Sequence, residues 1–185
     1  MIMSTIAAGA DTTAVTMTSV FYFLLKNPHA MNTLLLEIQE ALRNGSITNP
    51  PMWAQVNKLQ YLDVVIKEAM RCYPIASFGI DRIVPKGGAT LAGTFIPEGT
   101  IVGCQQMAIH HDKDVYGQDV DQFRPERWLE ADELQKRKME RAFIGFSTGK
   151  RICIGQHIAQ LEMKKSIPHI LMNFKASSHS GTCEE

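Results

Sequence analysis

Through the first 76 residues, apolar side chains recur at helical spacing, and after Ser77 they come in short pieces cut by glycine and proline. Residues 1–26 predict one long helix, largely apolar, with Asp11 as the one charged side chain before Lys26. Thr5, Thr12, Thr13, Thr16, Thr18 and Ser19 dilute that run, and no basic stretch precedes it. It therefore reads as a buried core helix rather than a signal peptide or a membrane span. Asn27-Pro28 marks a break, with Asn27 expected to cap a second helix that has Pro28 in its first turn. Met31, Leu34, Leu35, Ile38 and Leu42 share one face of that helix, and Asn44-Gly45 stops it. A third helix is predicted over 55–72, with Leu59, Leu62, Val65, Ile66 and Met70 turned inward. It ends before Pro74, because the residue ahead of a proline avoids helical dihedrals.

Gly79, Pro85, Gly87, Gly88, Gly93, Pro97 and Gly99 divide the next stretch into predicted strands at 81–84, 89–91 and 100–104 of one small sheet. Pro97-Glu98-Gly99 reads as a turn. Residues 112–147 look mostly irregular apart from a charged helix at 132–141, and a loop that long is uncommon unless it is functional. A last helix, 155–174, contains Pro168 and is expected to kink there, before a frayed tail at 177–185. The layout is thus mainly α with a small β-sheet: 1–76 helical, 77–106 sheet, 107–152 meander and loop, 153–176 helix, 177–185 tail.

Composition narrows the function classes. In 185 residues, 45% hydrophobic and 21% charged side chains exclude disordered, collagen-like and coiled-coil chains. Nineteen basic residues balance nineteen acidic ones, so the global positive field that attracts nucleic acid is missing. Cys72, Cys104, Cys153 and Cys183 form no C-x-x-C pair and are too sparse for a disulfide framework, which points to a reducing compartment.

The most informative stretch is Phe146-Ser147-Thr148-Gly149-Lys150-Arg151-Ile152-Cys153-Ile154-Gly155. A cysteine at a helix start meets unpaired N–H groups and the positive end of the dipole, which favour a thiolate ligand. Gly149 and Gly155 permit a tight loop and close approach of a flat partner, Phe146 can shield the sulfur, and Arg151 can grip a carboxylate. The alternative is an ordinary buried cysteine in a turn. Glu68 and Arg71 lie three apart on one helical face of a largely buried helix, and Arg127, in Phe123-Arg124-Pro125-Glu126-Arg127-Trp128, can supply a third member. Ala8-Gly9-Ala10-Asp11-Thr12-Thr13 places an acid and alcohols among small residues, as either a proton route or a polar notch on a packed helix.

Lys136, Arg137, Lys138 and Arg141 form a basic run that suits either an acidic partner or solvent. The adjacent His110 and His111 diverge in helix and strand alike and do not suggest a shared metal. Cys153 and His157, four apart, make half of a zinc site with no second pair to complete it.

Taken together and in order, these patterns resemble the cysteine-ligand loop, Glu-x-x-Arg helix, Pro-Glu-Arg stretch and oxygen-activating helix of the cytochromes P450, the haem-thiolate monooxygenases. The likeness covers nearly the whole chain, and 89–103 with 123–128 is most similar to microsomal-type members from filamentous fungi. The resemblance implies a b-type haem with the Cys153 thiolate as axial ligand, Arg151 and Arg82 on the haem propionates, and Glu68, Arg71 and Arg127 as a structural triad. It also implies that Thr12, helped by Asp11, passes protons during oxygen activation. Electrons would come from NADPH through a flavoprotein reductase, one oxygen atom from O2 would enter a small organic substrate, and Lys136, Arg137, Lys138 and Arg141 could receive the reductase. Full-length relatives would sit on the cytoplasmic face of the endoplasmic reticulum membrane, anchored through an N-terminal segment missing here. The chain is expected to be the C-terminal part of such an enzyme, so apolar faces of its first two helices should be exposed. A noncatalytic remnant or interaction module without stable haem is the rival reading, and a zinc-binding module a weaker one.

Overall fold

The computed structural model describes residues 2–77 and 80–176. The predicted tail, and Cys183 with it, lies outside the described residues. Helix α1 (Ile2–Lys26) leads into α2 (Pro28–Arg43), which buries Ala30, Leu34, Ile38 and Ala41 along one stripe. Asn27 does not cap α2, contrary to expectation. Its side-chain amide turns back and donates to the Phe23 carbonyl at 2.7 Å, so it closes the C-terminal end of α1 instead. Proline in the first turn of α2 already removes one of the N–H groups a cap would serve.

The single helix expected over 55–72 is two, α3 (Trp53–Val56) and α4 (Gln60–Cys72). The cause is a cap from a distant residue. Glu37 of α2 accepts the N–H groups of Tyr61 and Leu62 at 2.8 and 3.0 Å, satisfying donors that a continuous helix would have used internally. Four strands follow: β1 (Arg82–Ile83), β2 (Ala89–Leu91), β3 (Thr94–Ile96) and β4 (Ile101–Val102). They make two antiparallel two-stranded sheets rather than one. β1 pairs with β4 in the register Arg82 to Val102, and β2 pairs with β3, unforeseen from the sequence, in the register Thr90 to Phe95. Ala92 and Gly93 both have positive φ, 48° and 83°, as the tight β2–β3 turn requires.

α5 (Gln106–His110) precedes the stretch expected to be mostly irregular. Within it, two unforeseen one-turn helices, α6 (Lys113–Tyr116) and α7 (Arg127–Glu130), accompany α8 (Glu133–Ala142), the charged helix expected at 132–141. Asp112 and Asp132 cap α6 and α8 by accepting from the Asp114 and Gln135 N–H groups, each at 2.8 Å. A one-turn 3-10 segment, Gly149–Arg151, precedes α9 (Gln156–Asn173), which runs five residues beyond the buried Pro168.

The core lies where α1, α2, α4 and α9 meet. Val20 and Leu24, Leu34 and Ile38, Leu62 and Val65, and Met163 and Ile167 are all buried there. α1 buries one face only: Thr13, Thr16, Ser19, Val20 and Leu24 point inward, while Ile6, Val15 and Tyr22 stand exposed, as does Leu36 of α2. Among the described residues no helix is long and apolar enough to cross a membrane.

Candidate functional site

α4 carries Glu68 and Arg71 on its buried face, and both are fully enclosed. The Arg71 guanidinium forks onto the carboxylate, Nε to Oε2 at 2.9 Å and Nη2 to Oε1 at 2.8 Å. Arg127, at the start of α7, donates from Nε to the same Oε1 at 2.8 Å. Two donors not foreseen from the sequence complete the shell: the Trp128 indole N–H reaches Oε2 at 2.9 Å, and the Arg124 backbone N–H reaches Oε1 at 3.1 Å. The remaining arginine donors go to carbonyls. Arg71 bonds those of His110 and Gln122, and Arg127 those of Tyr116, Asp119 and Gln122. Arg127 also donates to the Asp119 carboxylate at 3.1 Å. Burial opposes ionisation of Asp119, yet Arg127 and Arg124 hold its carboxyl below the ordinary value. Burial, reinforced by Glu68, pushes the neighbouring Cys72 thiol up to about 12.

The loop that carries Cys153 is rooted against this cluster. α5 supplies two buried side chains that grip Ile144: the backbone N–H of Ile144 donates to His110 Nε2 at 3.0 Å, and Gln106 Nε2 donates to the Ile144 carbonyl at 2.7 Å. The same carbonyl accepts from the Ser147 N–H at 2.8 Å, closing a turn over 144–147. Gly145 leaves room there, since a Cβ would lie 2.8 Å from the Phe143 ring and 2.9 Å from the Met70 methyl, and those side chains would have to shift to admit it. Beyond the turn, Ser147 and Gly149 adopt positive φ, 62° and 66°, and the Cys153 N–H donates back to the Phe146 carbonyl at 2.8 Å. Cys153 is exposed, two residues before Gly155, the cap of α9.

A Cβ at Gly149 would meet nothing within 4 Å, and one at Gly155 would sit 4.0 Å from the Cys153 sulfur. Phe146 is half-buried against the core, and Arg151 is exposed with no acidic partner among the described residues. Behind the loop, a cavity of about 310 Å³ is lined by Met70, Phe143, Phe146, Ile152 and Met163 among others.

The other candidates lie on exposed faces. Asp11 and Thr12 are exposed on α1, where the Thr12 hydroxyl donates to the Ala8 carbonyl at 2.7 Å, and the helix passes through Gly9 without interruption. Arg82 is exposed in β1 and donates to the Asp81 carbonyl. Lys136, Arg137 and Arg141 are exposed on α8, as is Lys138, whose ammonium reaches the Asp114 carbonyl. His110 points into the core, while the His111 ring turns to the Met107 carbonyl. Among the described residues no three His, Cys, Asp or Glu side chains are placed to hold a metal ion, so the zinc reading gains no ligands beyond Cys153 and His157.

A mainly helical fold with a buried Glu-Arg-Arg cluster beside a glycine-flanked cysteine loop defines the class, and the family described as Cytochrome P450 matches residues 1–185. The chain belongs to that family, whose general properties are haem, iron and monooxygenase chemistry. Fungal proteins are among its relatives. It is 41% identical over 174 residues to a cytochrome P450 monooxygenase of Aspergillus terreus, covering 94% of this chain and 35% of that protein. A second, from Alternaria alternata, is 40% identical over 91% of this chain and 45% of its own length. The pisatin demethylase of Fusarium vanettenii is 42% identical over 95% of this chain and 33% of its own. The chain thus spans between a third and a half of the length of these relatives.

Proposed function

We propose that this chain carries the haem-binding loop of a monooxygenase, in which the Cys153 sulfur would hold the iron. The observation that supports this most is the cysteine loop itself, an exposed thiol whose backbone is tied to Phe146 and whose flanking Gly149 and Gly155 leave a side-chain-free approach. The donor set fits a b-type haem: one thiol for iron, open space for a flat ring, and an exposed Arg151 without an acidic partner among the described residues. Arg151 and Arg82 would bind the propionates, and Phe146 would keep water from the sulfur. Bound there, haem supplies the redox chemistry that inserts one oxygen atom from O2 into a small organic substrate, with the thiolate donating electron density to the iron.

The chain's own residues then have separable roles. Glu68, Arg71 and Arg127 hold the segments on which the loop rests and touch neither haem nor substrate. Thr12, helped by Asp11, would pass protons during oxygen activation; its Oγ1 donates to the Ala8 carbonyl, a bond it would have to give up to donate elsewhere. Electrons would arrive from NADPH through a flavoprotein reductase whose acidic surface meets Lys136, Arg137, Lys138 and Arg141. The full enzyme would work at the cytoplasmic face of the endoplasmic reticulum membrane.

The test is spectroscopic. Haem-loaded protein carrying residues 1–185 is reduced and exposed to carbon monoxide, beside Cys153→Ser. The parent is expected to give the red-shifted Soret band of thiolate ligation, and the serine variant to lose it. A parent without that band, or a variant that keeps it, overturns the assignment.

A further inference from the structure

We infer that His110 and Gln106 position the Cys153 loop, by holding the N–H and the C=O of Ile144 from opposite sides. This rests on the proposed ligation by Cys153 and adds to it the residues that set where the sulfur stands.

The argument begins with polarity that packing alone would not select. Both side chains are buried, His110 wholly so, in a region otherwise filled by Phe143, Tyr116 and Trp128. Each leaves one polar atom without a hydrogen-bond partner, His110 Nδ1 and Gln106 Oε1. Unpartnered buried polar atoms are costly, and apolar side chains of similar shape would avoid the cost. The Met70 and Arg71 backbone also lies near the imidazole, but the well-formed side-chain hydrogen bonds of both residues converge on one place, the backbone of Ile144.

The histidine proton follows from that geometry. Because the Ile144 N–H is the donor, Nε2 must be the unprotonated nitrogen and the proton sits on Nδ1. The ring is neutral: burial, with Arg71 as the next cause, brings its pKa down to about 4. Phe143 stacks on the ring at 5.2 Å, so the residue before Ile144 is held by the same side chain.

From Ile144 the constraint runs outward in two hydrogen bonds. The turn over 144–147 is closed by the Ser147 N–H on the Ile144 carbonyl, and the Phe146 carbonyl within that turn accepts the Cys153 N–H. Between Ser147 and Cys153 the chain is exposed, with positive φ at Ser147 and Gly149, and its other backbone bonds are local to the 3-10 turn at 149–151, as in Ile152 to Gly149. The fixed point from which the cysteine hangs is therefore the gripped turn. Arg71 donates to the His110 carbonyl at 2.9 Å, so the Glu68 cluster and the grip on the loop share a residue.

The test separates an acceptor from a space-filling ring. In His110→Gln the new Oε1 falls near the place of the imidazole Nε2 and can still accept from Ile144. In His110→Asn the amide reaches only the level of Nδ1 and cannot. Gln106→Met keeps the volume but removes the donor to the Ile144 carbonyl, and serves if the asparagine variant fails to fold. Amide exchange of Ile144 and of residues 146–153 is measured in haem-free protein, and the thiolate share of the ferrous carbon monoxide Soret band in haem-loaded protein.

His110→Asn and Gln106→Met are expected to speed exchange at Ile144 tenfold or more and to convert thiolate-type band into the blue-shifted form lacking thiolate. His110→Gln should track the parent in both readouts. Parent-like exchange and spectra in the asparagine variant, or equal damage from glutamine and asparagine, would overturn the inference. If the parent itself lacks the thiolate band while the exchange ranking holds, ligation by Cys153 falls and the grip on the loop stands.

Discussion

Glu68→Gln is nearly isosteric, yet it should be among the most damaging single substitutions in this chain. The carboxylate accepts five hydrogen bonds from nitrogen donors: three at Oε1, from Arg71, Arg124 and Arg127, and two at Oε2, from Arg71 and Trp128. An amide can accept at only one of those positions. In its better orientation the amide oxygen takes the place of Oε1, and its NH2 then faces the Arg71 Nε–H and the indole N–H, donor against donor. Two hydrogen bonds to a charged group are lost, each worth about 1.5–3 kcal/mol, or roughly 3–6 kcal/mol in sum. Two enclosed guanidinium groups are also left without their shared counter-charge, and breaking a buried pair costs about 3–5 kcal/mol by itself. Since native domains are stable by about 5–15 kcal/mol, the variant should be at or near the unfolding threshold. Urea denaturation followed by far-ultraviolet circular dichroism, with haem retention on gel filtration as a second reading, measures the loss. A variant within about 1 kcal/mol of the parent, with its haem retained, would refute the view that this carboxylate organises the cluster.

Two further predictions use other parts of the molecule. Acid should destabilise the chain before its carboxylates titrate. His110 has an ordinary value of 6.5 and about 4 in the fold, where Arg71 and His111 face it, so the unfolded state binds the extra proton between those values. Stability from this residue is complete above pH 6.5 and falls as the pH drops toward 4, by about 3 kcal/mol in all. His110→Gln should flatten the urea midpoint across that window, whereas Asp119, held below its ordinary value, withdraws its share only at lower pH. An unchanged slope in the variant would show that His110 is not the titrating group. Thr12→Ala should leave stability within about 0.5 kcal/mol, because the hydroxyl is exposed and bonded only to Ala8. In the active enzyme it should divert electrons from product to hydrogen peroxide. Equal peroxide yield from parent and variant would remove Thr12 from the proton route.

Local patterning made some elements legible and left others hidden. The apolar stripe of α2 and the inward face of α4 follow from helical spacing, and Glu68 and Arg71 fall on one face for the same reason. The split between α3 and α4 was not legible, because the group that terminates the N-terminal end of α4 is Glu37, 24 residues upstream of Tyr61. Asn27 misled for a related reason: an amide at a helix junction can serve either neighbour, and the Phe23 carbonyl was within its reach. β3 and the short helices α5–α7 are too brief for periodicity to register. At the site, the glycines around Cys153 marked a loop, which the structure has over 144–155. The grip of His110 and Gln106 on Ile144 did not show, since it joins a helix to backbone 34 and 38 residues away. Trp128 stands beside Arg127 in the sequence, but nothing there marks its indole N–H as a further donor to Glu68.

The charged cluster joins α4 to α7 across separations of 59 and 60 residues. Until that span closes, α4 carries an acid and a guanidinium whose best partners have not arrived, so a half-assembled intermediate gains little from burying them. The two helices should consequently open and shut as a single cooperative unit, with their amides becoming labile together rather than one after the other.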